Sequence, residues 1–278
     1  MPSRLAQALT LRHQPLALYY AQEEPLDAKS FKKEKSGKNW GCAMFLLSQA
    51  LDGNTVSFSR ETCHCPGAVS GMGLADSHYD VFPGGREAFA YFLSSGNEGW
   101  ETGRSVAEEL KQNGAGGEML EDFIKGEGFK KNPEMAHDFL ENIPPVLPRG
   151  PFVVLEPLAK TLPEKEPEVV IFLADSLQLS ALVYMANFAR RGLDNVRIPF
   201  GSGCQSIGIL PIYEGRQDEP KAIVGLTDIS ARLYLHKLLG RELLSFAMPW
   251  RLFLTMEDNV DDSFLKRHAW LKIREKLG

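Results

Sequence analysis

The spacing of apolar residues changes along this chain, and each change marks an element. Within residues 3–12, Leu5, Ala8, Leu9 and Leu11 fall close to a helical period. The run Pro15-Leu-Ala-Leu-Tyr-Tyr-Ala21 then reads as a short strand. From Cys42, Ala-Met-Phe-Leu-Leu-Ser-Gln-Ala-Leu51 has high helix propensity and stops at Asp52-Gly53-Asn54, so Cys42 lies at a helix start. Thr55-Val-Ser-Phe58 predicts a strand, and Pro66 opens a further short helix that Gly71 and Gly73 end. Residues 84–142 read as short helices joined by turns such as Gly114-Ala-Gly-Gly117, with no strand among them, and Ile143-Pro-Pro-Val-Leu-Pro-Arg-Gly-Pro151 interrupts regular structure.

The second half opens with the apolar run Phe152-Val-Val-Leu155. Glu168-Val-Val-Ile-Phe-Leu-Ala174 follows, a continuous run of the kind buried on both faces of a sheet. Ser176 to Arg191 carries Leu177, Leu179, Ala181, Leu182, Met185, Ala186 and Phe188, a dense apolar helix closed by Arg190, Arg191 and Gly192. With a strand near Val196 to Ile198 this predicts a βαβ unit. Strands at 222–226 and 243–248 and helices at 230–239, 249–257 and 262–277 complete the reading. The pattern predicts a mixed α/β (α+β) fold, a single compact domain over 1–278 with a helical insertion in the first half and a βαβ-like second half. Residues 143–151 mark a boundary between subregions rather than between independent domains, because the four cysteines lie on both sides of it.

Composition narrows the function classes. The 278 residues, 44% hydrophobic and 24% charged, suffice for a sizeable core. A formal net charge of −5 gives no global basic field, so nucleic acid is not an expected partner. No apolar stretch is long enough for a membrane span and the first residues lack a signal-like apolar region, so the protein is expected in the cytoplasm, with no membrane partner. Lys29 to Lys38, with five lysines, reads as a solvated loop or, less simply, an anion-attracting lid. Apolar C-terminal segments would suit either the core or a homodimer interface.

Four cysteines in a chain of this length do not make a disulfide scaffold. Cys42 and Cys65 stand at helix starts, and the Gly201-Ser-Gly203 turn delivers Cys204 to a third. Free N–H groups and the positive end of the dipole favour an anion there, so these cysteines are expected as thiolates, the form that ligates metal. An iron–sulfur cluster of the 4Fe–4S type, held by Cys42, Cys65 and Cys204 with Cys63 as fourth ligand, is the leading expectation. The role would be redox, sensing or substrate binding, with a redox partner or small molecule as counterpart. Neither the C-x2-C-x2-C nor the C-x4-C-x2-C spacing is present, and Cys63-His-Cys65 has a single intervening residue.

Three other readings compete. The same cysteines, with His64, would make a zinc site in a non-enzymatic small-molecule-binding or regulatory protein. Cys63 and Cys65 would make a thiol–disulfide redox pair. The cysteines would also suit a core with no shared site. Gly201-Ser-Gly203 as a phosphate nest fails the fuller dinucleotide fingerprint because Ser206 stands where the third glycine belongs. Asp261-Asp262 and Glu108-Glu109 read as exposed charges, and Ser70 has no triad around it.

Pro15-Leu-Ala-Leu-Tyr-Tyr, Gly41-Cys-Ala, Cys65-Pro-Gly-Ala followed by Gly71-Met-Gly, the Glu168-Val-Val-Ile-Phe run and Gly203-Cys204 together resemble the DUF169 family, which is widespread in anaerobic bacteria and archaea. The resemblance spans most of the chain. It implies one coherent fold and singles out Cys42, Cys65 and Cys204, with Cys63 outside the shared pattern. It brings no established activity.

Overall fold

The computed structural model describes residues 2–31, 42–63, 65–161 and 165–277. The chain divides into two compact units, residues 1–74 with 145–278, and residues 75–144. The second crossing falls at Pro144-Pro145, inside the proline-rich stretch.

The larger unit opens with α1 (Arg4–Ala8), β1 (Leu16–Ala21), α2 (Ala43–Leu51), β2 (Val56–Ser59) and α3 (Pro66–Gly71). The smaller unit holds α4 (Gly85–Phe92), α5 (Glu101–Gln112), α6 (Gly117–Lys125) and α7 (Pro133–Glu141). The chain returns to the larger unit with β3 (Phe152–Pro157), β4 (Val169–Ala174), α8 (Ser176–Phe188), β5 (Val196–Arg197), α9 (Gly203–Ile207) and α10 (Ile209–Glu214). It finishes with β6 (Ala222–Gly225), α11 (Ile229–Leu239), β7 (Leu244–Pro249), α12 (Trp250–Asp258) and α13 (His268–Leu277).

The seven strands form one mixed sheet in the order β2-β3-β1-β4-β7-β6-β5. Every neighbouring pair is antiparallel except β5 and β6. Strands β4 and β5 run the same way, as the predicted βαβ unit requires, but β7 and β6 lie between them. The adjacent parallel pair is β5 and β6, and its crossover carries α9 and α10. This places Cys204 on the helical connection of the sheet's parallel edge.

Register sorts the strand residues onto two faces. Phe172 pairs with Phe246, Val170 with Met248, and Val224 with Phe246. These side chains form a buried cluster with Ala17, Leu182, Leu252, Phe253 and Trp270. Asp175 caps α8 by accepting from the amides of Leu177 and Gln178, while the Asp175 amide donates to the Gln178 side-chain oxygen. The buried Glu257 carboxylate binds the Ser3 hydroxyl and the amides of Arg4 and Leu5, which ties α1 to α12. The expected 262–277 helix is interrupted: a single turn at Phe264–Lys266 precedes α13, with Arg267 extended between them.

The opposite face presents Leu16, Ile171, Ile223, Gly225, Ser245 and Ala247, which register also groups together. Gly225 pairs with Ser245, and a Cβ on Gly225 would lie 1.9 Å from Ser206 Oγ. The backbone of α9 therefore sits down on β6 through small residues.

The smaller unit has its own aromatic core. Phe82, Phe92 and Trp100 pack on Ala88, Ala107 and Phe123. Buried Asn97 donates to the carbonyls of Ala88 and Phe123 and accepts from the Trp100 indole. Among the described residues no helix is long and apolar enough to cross a membrane.

Candidate functional site around the four cysteines

Each cysteine is set by a local device. Cys42 is the N-cap of α2, whose buried face of Ala43, Met44, Leu46, Leu47 and Ala50 fixes the helix against β2 and β3. Cys63 ends a hydrogen-bonded turn after β2, its amide donating to the Ser59 carbonyl at 2.9 Å. Cys65 is the N-cap of α3, with Pro66 in the first turn, where its missing N–H costs nothing. Cys204 is the second residue of α9, whose Ser202 and Gln205 close a capping box.

Close packing of backbone brings these devices together. A Cβ on Gly71 of α3 would lie 2.6 Å from Cys204 Cβ and 2.8 Å from the Gln205 amide nitrogen. A Cβ on Gly208 would lie 2.2 Å from the Gly71 carbonyl oxygen. Only glycine permits this approach of α3 to α9. Gly203 faces Met44 Sδ of α2 at 3.3 Å from its would-be Cβ, so α2 joins the same point.

The result is one electrostatic cluster. Charging Cys65 raises the cost of charging Cys42, Cys63 and Cys204, and the pairs Cys42–Cys63, Cys42–Cys204 and Cys63–Cys204 are coupled in the same way. Ionising any one of the four thiols therefore works against ionising the others, although the residues span positions 42 to 204. The four cysteines are free thiols, Cys63 and Cys204 buried and Cys42 and Cys65 partly so.

Their protonation departs from the sequence expectation. Amides do reach the sulfurs: Met44 at Cys42, Cys65 at Cys63, and Gly67 and Ala68 at Cys65 all favour the charged form. None of them closes a capping bond of full geometry at Cys42 or Cys65. Burial outweighs them. It pushes the Cys42 thiol up to about 11 and Cys63 to about 12, raises Cys65, and raises Cys204 well beyond the ordinary range. Helix-start geometry alone thus does not hold these cysteines as thiolates, and burial favours their neutral form. That state also works against a thiol–disulfide pair at Cys63 and Cys65, since the thiolate is the attacking species.

The cysteines share the site with a group that spacing in the sequence does not reveal. Asp228, at the start of α11, couples to Cys42 and Cys204. An aspartate before a helix is an ordinary cap in any sequence. His64 and most of the Lys29 to Lys38 stretch lie outside the described residues.

A family model for DUF169, described as Uncharacterised ArCR, matches residues 4–259. The chain belongs to the DUF169 family. No curated protein and no solved structure matches it. In this DUF169 chain the described residues hold no group of three or more His, Cys, Asp or Glu placed to ligate a metal ion. Zinc needs its ligand atoms closed tetrahedrally around one point, about 2.3 Å from each sulfur. A polynuclear cluster has a different requirement, because each thiolate binds a different iron and the sulfurs stand farther apart. Thiolate sulfur is a donor that both zinc and cluster iron accept.

Proposed function

We propose that this DUF169 chain binds a polynuclear iron–sulfur cluster of the 4Fe–4S type, with Cys42, Cys65 and Cys204 as thiolate ligands and Cys63 as the fourth. The observation that carries the reading is the close approach of the elements that bear the cysteines: a Cβ on Gly71 of α3 would lie 2.6 Å from Cys204 Cβ, and one on Gly203 of α9 would lie 3.3 Å from Met44 Sδ of α2. Four buried and half-buried thiols cannot all ionise together without a positive counter-charge, and iron would supply it. The bound group would serve redox chemistry, sensing or substrate binding, with a redox partner or a small molecule as counterpart. A reducing, cytoplasmic setting belongs to the same proposal, since the four thiols are free.

The chain's own contribution is to exclude water and to aim amides at sulfur. The N–H groups of Met44, Cys65, Gly67 and Ala68 would hydrogen-bond the ligating sulfurs and tune the potential of the cluster. Binding would release the thiol protons, so affinity would rise with pH.

Anaerobic purification and reconstitution, with iron and acid-labile sulfide analysis, tests the proposal. The expected product is a brown protein containing iron and sulfide in equal amounts, and Cys204→Ser is expected to lose both. A colourless chain without iron after reconstitution, or one that takes up zinc alone, would overturn it.

A further inference from the structure

The two edges of the sheet differ. At β2 the edge is covered: Lys29 bridges to it in parallel, its amide donating to the Thr55 carbonyl and its carbonyl accepting from the Ser57 amide, both at 2.9 Å. Among the described residues β5 pairs on one side only, with β6. The Ala222 amide donates to the Asn195 carbonyl at 3.1 Å, so that carbonyl points inward and the Val196 N–H of the same peptide points outward. In extended backbone the N–H and C=O of one residue share a direction that alternates along the strand. Val196 therefore turns both of its backbone groups away from β6, and Ile198 turns its N–H the same way. Pro199 does not close this edge, since the N–H it lacks would point inward.

The flank of the open edge is apolar. Val196 packs against the aromatic cluster, and Asn195 Nδ2 donates to Asn187 Oδ1 at 2.8 Å and to the Arg191 carbonyl at 3.1 Å, which seats the end of α8 beside β5. Around that contact Leu193 is 97% exposed, Ile198 69% and Phe188 44%. At about 150–250 Å² for a large side chain, these three leave on the order of 400 Å² of apolar surface in water. A standard interface buries about 800 Å² per partner, a little over half of it non-polar. The flank of β5 matches that apolar share.

We infer that the β5 edge is a homodimer interface, in which two copies of this chain pair β5 antiparallel about a two-fold axis at Val196. An open edge takes an extended segment with outward N–H and C=O groups, and a second β5 offers both. About this axis each Val196 N–H donates to the other Val196 carbonyl, so both groups are satisfied. The same axis sets Arg197 opposite Asn195 of the second copy, whereas an axis one residue later would set Arg197 against itself, and like charges directly opposed are destabilising. Leu193, Ile198 and Phe188 of the two copies then shield the joined edge from water. The pairing does not depend on what the cysteines bind.

The test is analytical ultracentrifugation of the full chain over a range of concentrations, as wild type, Leu193→Lys and Ile198→Lys, with circular dichroism as a folding control. Both substituted side chains are exposed, so the fold is expected to persist. Wild type is expected to sediment as a dimer, and each lysine to raise the dissociation constant about tenfold or more by placing charge in the apolar flank. Hydrogen exchange at the Val196 amide is expected to slow in the wild-type dimer and to quicken on dilution. Wild type that stays monomeric at every concentration would overturn the inference and leave the edge to a strand from a different protein. A dimer that both lysines leave intact, or one whose Val196 amide exchanges freely, would overturn it equally by placing the interface elsewhere.

Discussion

On one face of the sheet Phe172, Phe246 and Met248 fill the space beneath the α1, α8 and α12 layer, whereas on the other Gly225, Ser245 and Ala247 leave room for the backbone of α9. The first face is stabilised by the volume of its side chains. The second depends on their absence. Small residues on β6 and β7 let α9 settle, and Gly71 with Gly208 lets α3 press against it, so Cys65 and Cys204 are brought together by main-chain contact. The same sheet therefore carries a core that tolerates conservative exchange and a site that tolerates almost none.

The largest effect expected from breaking this contrast is on the aromatic face. Phe172→Ala, which opens a cavity at a fully buried position, should cost about 3–5 kcal/mol in chemical denaturation. It should leave iron binding per folded chain unchanged, because no cysteine packs in that cluster. Gly71→Ala inverts the pattern. Its added Cβ meets main chain rather than a yielding side chain, so about 1–3 kcal/mol of stability should be lost, and iron uptake should fall with it. Equal iron uptake by Gly71→Ala and wild type would show that the approach of α3 to α9 does not shape the site.

A smaller effect should follow from Ser202→Ala. Removing the α9 cap should cost about 1 kcal/mol and weaken iron retention during gel filtration, since the cap sets the first turn that carries Cys204. The smallest belongs to His13, between α1 and β1. Burial, helped by Arg12, holds its imidazole below the ordinary value of 6.5. The unfolded chain therefore takes up a proton first as pH falls through 6.5, and stability should decline on the acid side. His13→Gln should flatten that decline in thermal melts between neutral and mildly acidic pH.

Much of the secondary structure was legible in the sequence because it rests on local signals. The Asp52-Gly53-Asn54 stop, Pro66 after Cys65 and the Gly201-Ser-Gly203 turn announce their helix ends without help from tertiary structure. Strand pairing was not legible. The run Val169–Ala174 reports burial on both faces, but nothing in it says that β7 and β6 come between β4 and β5. The site divides in the same way. Three cysteines could be placed at helix starts from spacing, yet their protonation follows from burial, which spacing does not report. Asp228 was not legible either: it stands two residues after Leu226, whose left-handed backbone no sequence signal announces.

Diffraction from crystals grown without oxygen, with anomalous differences recorded at the iron edge, tests the central claim most directly. A group of iron peaks enclosed by the sulfurs of Cys42, Cys65 and Cys204 is the predicted result. Sulfurs that surround no iron, in crystals of protein reconstituted with iron and sulfide, would contradict it.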